Sequence, residues 1–274
     1  MENTGERHIL GCDFVNQADY YIHLMHIASY EYAIKFASFK KVLDYGCGSG
    51  YGSFLLAKKA ENVIAVDISL EAVEYAKENF ASENLIFKEV KDLGYQKFDL
   101  ITSFQVIEHV PNDKEYIYKL KNLLNPGGIL LLTTPDKSNR LFNHIQKPWN
   151  IYHLKEYSTK SMNRLLKMYF DNYEILKISS TPELVLHEIQ RRKKQRLITL
   201  PCTLFFYPNF LRIFLLRLQT KLYRILMKLR NRNNGSSLTL EIQKEAPFSK
   251  FTSNDIEISK DPIYPTDLYV ICKL

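Results

Sequence analysis

The chain has 274 residues, of which 46% are hydrophobic, enough to bury a full core as one large domain or as one domain with an insertion. Its net charge of +7 is unevenly spread: twelve Lys and Arg but no acidic residue lie between Glu188 and Glu241, so the rest carries −5. The four cysteines have no C-x-x-C spacing, which argues against a disulfide framework. The polar start argues against a signal peptide, and the lack of an apolar run of about 18 residues argues against a spanning helix. We therefore expect a cytoplasmic protein.

The first two thirds of the chain predict a helical start followed by alternating strands and helices. Residues 1–40 are predicted to form a helical lead-in or lid, because apolar and aromatic residues recur there at helical spacing. Strands are predicted near 41–46, 62–67, 85–89, 98–104 and 128–134, and helices near 51–60, 69–81 and 112–124. This alternation predicts a doubly wound α/β fold with a mainly parallel sheet and ligands at the carboxyl ends of the strands.

The remainder of the chain predicts two more strands, which brings the sheet to seven. Residues 136–157 read as a polar, aromatic loop, and Ser158 is expected to cap a helix that runs to Tyr169. Strands are expected at 173–178 and 268–273; if they pair as an antiparallel hairpin, they enclose an insertion. The domain organisation is therefore predicted as a lead-in at 1–40, a core at 41–180, a mostly helical basic insertion at 181–265 with a flexible connection at 231–237, and a final strand at 266–274.

A glycine-rich loop follows the first predicted strand. Four of the ten glycines lie within seven residues, at positions 46, 48, 50 and 52. Glycine has no Cβ, so the chain can turn sharply there and bring backbone N–H groups against a ligand. The spacing differs from the dinucleotide pattern G-x-G-x-x-G, because the third glycine comes one residue early and Tyr51 takes its place. The loop therefore predicts a cofactor site that is not a typical nicotinamide dinucleotide site.

Two acidic residues identify the ligand that suits this loop. Asp44 ends the first strand beside the glycines, where it would repel a pyrophosphate and attract an ammonium or a sulfonium. Asp67 ends the second strand, where a carboxylate can accept both ribose hydroxyls. S-adenosylmethionine has both cations and no phosphate. The pattern therefore favours S-adenosylmethionine over a nicotinamide cofactor or a purely structural turn.

The sequence resembles the class I S-adenosylmethionine-dependent methyltransferases from about Lys40 to Pro135. The segments VLDYGCGSGYGS, VIAVDIS, FDLITSFQVIEHV and LLNPGGILLLTTP are similar to four motifs of that family, in the expected order. Outside them, TGER, the run from His26 to Tyr30 and PWNIYHLKEYS resemble bacterial small-molecule methyltransferases, many of them found among cell-surface polysaccharide genes. That group often has Arg where this chain has Ser29.

The resemblance implies a set of residues around S-adenosylmethionine and its product S-adenosylhomocysteine. The carboxylate of Asp44 and the glycine loop would hold the methionine end, Asp67 the ribose and Ile68 the adenine. Asp92 and Leu93 follow the third strand, where the family often contacts the adenine amine; an ordinary helix cap is the alternative for Asp92. Phe104 and Gln105 end the fourth strand, near the methionine moiety. The full predicted set is Asp44, Gly46, Cys47, Gly48, Gly50, Tyr51, Asp67, Ile68, Asp92, Leu93, Phe104 and Gln105.

Methyl transfer is a direct displacement and needs no protein nucleophile, although an acceptor hydroxyl benefits from a general base. His109 follows the fourth strand and could remove that proton, or could instead hydrogen-bond the loop. His153 and His26 are rival candidates. Trp149 and Tyr152 would line the acceptor pocket or pack the loop. We predict no metal site.

The basic insertion predicts an amphipathic helix over 211–229. Its apolar stripe is Leu211, Phe214, Leu215, Leu218, Leu222, Ile225, Leu226 and Leu229, and its cationic stripe is Arg217, Lys221, Arg224 and Lys228. Such a helix suits peripheral contact with an anionic membrane, or packing over the active site with a solvated basic edge. The cations could also attract a phosphorylated acceptor. Nucleic acid is disfavoured, because the fourth-strand loop reads S-F-Q-V rather than the N-P-P-Y type and no RNA-binding module is recognisable.

Together these features predict a methyltransferase that acts on oxygen of a small-molecule, sugar or phospho-glycan acceptor. The association with capsular and other cell-surface polysaccharide biosynthesis comes only from the resemblance. The first alternative is a membrane-associated methyltransferase of a lipid-like quinone precursor. The second is a scaffold that binds S-adenosylmethionine without turnover.

Overall fold

A computed structural model describes residues 14, 16–138, 145–233 and 250–274, with side chains of the long basic helix described as far as Leu226. The described part contains one eight-stranded sheet in the order β3-β2-β1-β4-β5-β8-β6-β7. The strands are β1 Lys41–Tyr45, β2 Asn62–Asp67, β3 Leu85–Glu89, β4 Phe98–Phe104, β5 Leu124–Pro135, β6 Asn172–Ser180, β7 Ile256–Ser259 and β8 Asp267–Lys273. The helices are α1 Gln17–Ile34, α2 Tyr51–Ala57, α3 Leu70–Asn79, α4 Asp113–Asn122, α5 Thr159–Leu166, α6 Pro182–Thr199 and α7 Asn209–Asn233.

The parallel half of the sheet confirms the predicted α/β class. Strands β1 to β5 pair in parallel, with β1 between β2 and β4. The central register sets Asp44 of β1 beside Ala65 of β2 and Thr102 of β4. The carboxyl ends of β1, β2 and β4 therefore lie next to one another, at the edge where parallel α/β sheets bind their ligands.

The antiparallel half differs from the prediction in strand count. Strand β8 pairs antiparallel with β6, the arrangement considered in the sequence analysis, and it also pairs antiparallel with β5. The sheet has eight strands rather than seven, because β7 adds to the outer edge of β6 from within the predicted insertion. This strand has only four residues, Ile-Glu-Ile-Ser, at an exposed edge, so it lacks the long apolar run of a central strand.

Smaller differences concern where elements begin and end. Strand β5 begins at Leu124, four residues before the strand predicted near 128–134. Ser158 caps α5 as predicted by accepting a hydrogen bond from the Ser161 backbone, but α5 ends at Leu166. Helix α7 continues to Asn233, so the first part of the flexible connection predicted at 231–237 is helical; the rest lies outside the described residues.

Helices cover both faces of the sheet. One core packs α1, α2, α3 and α6 against one face, and the other packs α4 and α5 against the opposite face. Fully buried side chains of the first core include Tyr21, Leu56 and Leu184, and those of the second include Ile117 and Leu166. Among the described residues, no helix combines the length and the apolar character that a membrane span requires.

Candidate active site

The glycine loop after β1 has a backbone that only glycine adopts easily. Gly46, Gly48 and Gly50 have φ values of +89°, +54° and +90°. A Cβ at Gly50 would lie 2.5 Å from the Cβ of Ala76, whereas a Cβ at Gly48 would meet no atom of the described residues within 4 Å. Gly50 therefore serves the packing of the loop on α3. Gly48 faces open space, where a ligand can approach the backbone.

Asp67 lies against this open side of the loop. The Gly48 N–H donates to Oδ2 of Asp67 at 3.0 Å, and the Ser69 N–H donates to Oδ1 at 2.9 Å. These bonds fix the carboxylate at the carboxyl end of β2, with further lone pairs left for ligand hydroxyls. The structure therefore brings Asp67 and Gly48 together as the sequence suggested.

The other residues predicted to contact the adenine differ in how far they are exposed to solvent. Ile68 is 87% exposed at the rim beside Asp67, where an apolar side chain could cover a ring. Asp92 is exposed in the short helix Val90–Asp92, and Leu93 after it is buried. The side chain of Asp92 makes no cap to this helix, whose cap residue is Glu89.

Asp44 is buried beneath the loop instead of lining an open surface. Hydroxyls of Ser53, Thr102 and Tyr30 donate to its carboxylate at 2.6, 2.8 and 3.2 Å. Burial raises the pKa of Asp44 to about 6, although the three hydroxyl bonds act in the opposite direction. The direct contact expected between this carboxylate and a cationic cofactor therefore does not follow from the geometry. Its charge would act through the intervening low-dielectric protein.

Tyr30 is a site residue that the sequence analysis did not single out. Its ring lies over the start of α2, so close that a Cβ at Gly52 would come within 2.1 Å of Tyr30 Cζ. Its edge also packs on Tyr51 and Phe104, two of the predicted cofactor residues. Gly52 in a helix was the available signal, because an interior glycine often marks a close approach.

Gln105 has an unusual backbone at the end of β4. Its φ of +56° is rare for a residue other than glycine and costs about 1–3 kcal/mol, a type of strain that clusters at functional sites. Its Nε2 donates to Thr133 Oγ1 and to Asp267 Oδ1, each at 3.3 Å. Gln105 thus joins the cofactor end of the sheet to a large neighbouring cavity.

This main cavity has a volume of about 1260 Å³ and lies between the strand ends and helices α1, α6 and α7. Its walls include all three predicted histidines together with Gln105 and Glu108. The glycine loop and Asp67 do not line it, so it is adjacent to the cofactor side rather than part of it. Trp149 and Tyr152 also line it, in keeping with the pocket-lining alternative. The cavity is well placed to hold an acceptor.

Glu108, His109 and His153 form a cluster on the wall of the main cavity. Each offers a ligand atom, and these atoms lie within 4.8 Å of one another. The His109 ring is 4.9 Å from the His153 ring, with Nδ1 of His109 3.2 Å from the Tyr152 carbonyl oxygen. Nδ1 of His153 lies 3.4 Å from Oε1 of Glu156, which orients its ring. The cluster could accept a proton or hold a divalent cation, and the sequence analysis did not predict the latter.

Glu108 is the member of this cluster that the sequence analysis did not propose as catalytic. Its side chain is fully buried, and its Oε2 accepts a hydrogen bond from Thr134 Oγ1 at 2.9 Å. Its Oε1 has no hydrogen-bond partner among the described residues. Burial raises the pKa of Glu108 to about 7, so it can gain or lose a proton near neutrality.

His26 lies on a different wall, on α1. Burial lowers its pKa to about 4, so its ring is neutral at physiological pH. A neutral imidazole can accept a proton, but such a low pKa makes it a weak base. His109 and His153 therefore have the more favourable surroundings.

Buried arginines hold the loop that carries His153. The guanidinium of Arg212, from α7, is fully buried and donates to the backbone oxygens of Pro148, Asn150 and His153. Arg196 Nη2 donates to Glu156 Oε2 at 2.8 Å. Residues of α6 and α7 thus hold the cavity wall in place, and the sequence analysis singled out neither arginine.

Comparison with known proteins decides the family. A family model described as a methyltransferase domain matches residues 37–201, more than half of the chain. The chain belongs to the methyltransferase domain family. This confirms the predicted family and fold, and it supports S-adenosylmethionine as the expected cofactor.

Individual relatives match only part of their own length. A probable S-adenosylmethionine-dependent methyltransferase from Mycolicibacterium smegmatis is 28% identical over 60% of this chain and 63% of its own length. A ubiquinone biosynthesis O-methyltransferase from Haemophilus ducreyi is 33% identical over 38% of this chain and 48% of its own. The fold also aligns with the crystal structure of an S-adenosylmethionine-dependent methyltransferase from Thermotoga maritima. The alignment covers 95% of this chain and 96% of the Thermotoga chain, with a TM-score of 0.52. Because only 10% of the aligned residues are identical, this likeness shows the fold alone. The chain thus spans about half to three fifths of the curated relatives it matches.

Proposed function

We propose that this protein transfers the methyl group of S-adenosylmethionine to an oxygen of a small-molecule acceptor bound in the main cavity. The observation that carries the proposal is the position of the cluster of Glu108, His109 and His153. It lines a cavity that reaches the cofactor end of the sheet at Gln105. An acceptor hydroxyl there would meet proton acceptors on one side and the methyl donor on the other.

The chain's own residues would bind and align the two reactants. S-adenosylmethionine, when bound, supplies a methyl group on a positively charged sulfur, which leaves as a neutral thioether. The backbone at Gly48 and the carboxylate of Asp67 would hold the cofactor, while the buried charge of Asp44 favours its cationic end. The cluster would take the proton of the acceptor hydroxyl as the oxygen attacks. Alignment of the acceptor oxygen with the methyl group supplies much of the acceleration.

The first acceptor class that we propose is a sugar hydroxyl of a glycan or phospho-glycan, as in cell-surface polysaccharide biosynthesis. Its support is the sequence resemblance, together with cationic side chains around the cavity. Arg191, Arg192 and Lys194 all line it. Glu188 is paired with both arginines, so Lys194 would contribute most to holding a phosphate.

A lipid-like acceptor such as a quinone precursor is the second candidate. One side of the main cavity is formed by apolar residues of α6 and α7, including Ile198, Leu215, Leu222 and Leu226. Such a wall suits a hydrocarbon tail better than a sugar. The relative from Haemophilus ducreyi, named for ubiquinone biosynthesis, agrees with this candidate.

Methyl transfer from labelled S-adenosylmethionine to two acceptor panels tests the proposal. One panel holds sugar nucleotides and sugar phosphates, and the other holds polyprenylated catechols. We expect label in one panel, and loss of turnover in Glu108→Gln with cofactor affinity unchanged. Each assay should be run with and without EDTA, since activity that depends on a divalent cation would assign the cluster to metal binding. Tight cofactor binding without transfer to any acceptor would contradict the proposal and favour the scaffold alternative.

A further inference from the structure

Helix α7 exposes an apolar face between Phe214 and Leu226. Near its start, Arg212 and Leu216 are buried against the body of the protein. From Arg217 to Leu226 every described side chain except Gln219 is exposed. The exposed α7 face consists of Phe214, Leu218, Leu222, Ile225 and Leu226, whose side chains are between 41% and 64% exposed. At 3.6 residues per turn, these five fall within an arc of about 120°.

Aromatic side chains extend this face beyond the beginning of α7. Phe205, Phe206 and Phe210 are each at least 60% exposed, next to the first turns of the helix. Single exposed apolar residues are ordinary, but a contiguous set marks an interaction surface. Phe, Trp and Leu are typical of the apolar face of a segment that lies in the interface of a bilayer.

Cations border the exposed α7 face along one side. Arg217, Lys221 and Arg224 share one edge of the helix and are all exposed. The sequence contains no acidic residue from position 189 to position 240 to offset them. A protein partner would need an acidic, apolar groove of matching shape, whereas an anionic bilayer offers both properties at any position. An apolar face with a cationic border is the pattern of a helix that lies in the surface of such a bilayer.

We propose that the exposed α7 face docks this protein on the surface of an anionic lipid bilayer. From Phe210 to Leu226 the helix is about 24 Å long at 1.5 Å per residue. It would lie in the membrane plane, with its apolar side chains among the upper acyl chains and the three cations at the phosphates. The described part of α7 is too charged to cross the membrane.

Docking in this way would bring the main cavity to the lipid. Leu218, Leu222 and Leu226 belong to the exposed α7 face and also line the main cavity. The apolar surface is therefore continuous from the outside of the helix to the cavity interior. An amphiphile could pass along it with its tail in contact with apolar side chains throughout. The docking itself does not depend on which acceptor is methylated.

Co-sedimentation of the full-length protein with vesicles tests the docking. One set of vesicles contains phosphatidylglycerol mixed with phosphatidylcholine, and the other contains phosphatidylcholine alone. We expect binding to the first set and a strong decrease in high salt, because ions screen the attraction. The triple variant Arg217→Gln, Lys221→Gln, Arg224→Gln should bind roughly 100-fold more weakly, since each cation near an anionic surface contributes about a factor of five.

A pair of double variants separates lipid insertion from simple charge attraction. Phe210→Ser with Phe214→Ser should weaken binding at least about 10-fold. The matched control Tyr95→Ser with Ile263→Ser removes two apolar side chains that are also highly exposed, but elsewhere on the surface. It should bind as the unchanged protein does. All five side chains on α7 and both control positions are exposed, so the variants should keep their circular dichroism spectra and melting temperatures.

Three outcomes would overturn the inference. The first is no binding to either vesicle set. The second is equal binding by the Phe210/Phe214 variant and the control. The third is a phenylalanine-dependent dimer in sedimentation without lipid binding, which would assign the face to a second copy of the chain. None of these would affect the proposal of methyl transfer, which is read from labelled products in detergent-free solution.

Discussion

Replacing Glu108 by glutamine should make the fold more stable at alkaline pH. The folded protein holds the Glu108 proton up to about pH 7, whereas the unfolded chain loses it near the ordinary value of 4.5. The unfolded chain therefore binds fewer protons in this interval, so Glu108 lowers the free energy of unfolding as the pH rises from 4.5 to 7. At about 1.4 kcal/mol per tenfold change in the ionisation constant, the full penalty above pH 7 is about 3 kcal/mol. Glutamine keeps the shape and avoids this penalty.

Urea denaturation of both proteins at pH 5 and pH 8, with EDTA present, measures the effect. At pH 8 we expect Glu108→Gln to unfold with a free energy about 3 kcal/mol higher than the unchanged protein, and at pH 5 the difference should be below about 1 kcal/mol. The raised pKa of Asp44 also makes stability pH-dependent, but it is common to both proteins and cancels in the comparison. A difference that is the same at both pH values would refute the assignment of a carboxyl group whose pKa is raised by burial. The same variant should lose methyl transfer, because glutamine cannot accept the proton.

Four further substitutions probe the cofactor side and the cavity wall. Asp67→Ala should weaken S-adenosylmethionine binding by about 1–3 kcal/mol, measured by calorimetry, through loss of hydrogen bonds to a charged group; affinity within a factor of two would exclude the ribose role. Gly48→Ala should lower the free energy of unfolding by only about 1 kcal/mol, because the new Cβ meets no described atom, but it should block the cofactor. Gly50→Ala should lower the free energy of unfolding by at least about 2 kcal/mol, because its Cβ clashes with α3. Equal melting temperatures for the two would contradict this. Arg212→Lys should lower the turnover number while leaving cofactor affinity unchanged, because a single ammonium nitrogen cannot span the carbonyls that two separate guanidinium nitrogens reach. Unchanged turnover would show that the loop does not need this anchor.

The parallel core could be read from the sequence because its signals are local. Runs such as that from Val63 to Val66 are apolar on both faces, as buried parallel strands require, and each is followed by a turn or a capped helix. Asp44 and Asp67 could be assigned to the ends of β1 and β2 because each directly follows such an apolar run. Strand β7 lacked such a signal, because a short edge strand is paired by its neighbour β6 rather than by its own composition.

The electrostatics of the site could not be read in the same way, because they come from residues far apart in the chain. Asp44 is sealed by Tyr30 of α1 and Thr102 of β4, so a carboxylate that looked available is enclosed. Glu108 acquires its raised pKa from burial beneath the 145–157 loop, whose backbone N–H groups at Leu154 and Lys155 donate to the Glu108 carbonyl. Packing over long sequence separations decides these properties, and one sequence does not reveal it.

Calorimetric titration of the purified protein with S-adenosylmethionine and, separately, with a nicotinamide dinucleotide tests the cofactor assignment most directly. The structure predicts saturable binding of S-adenosylmethionine that Gly48→Ala abolishes, and no binding of the dinucleotide. Binding of the dinucleotide with no heat from S-adenosylmethionine would contradict the account of the glycine loop and of every role assigned around it.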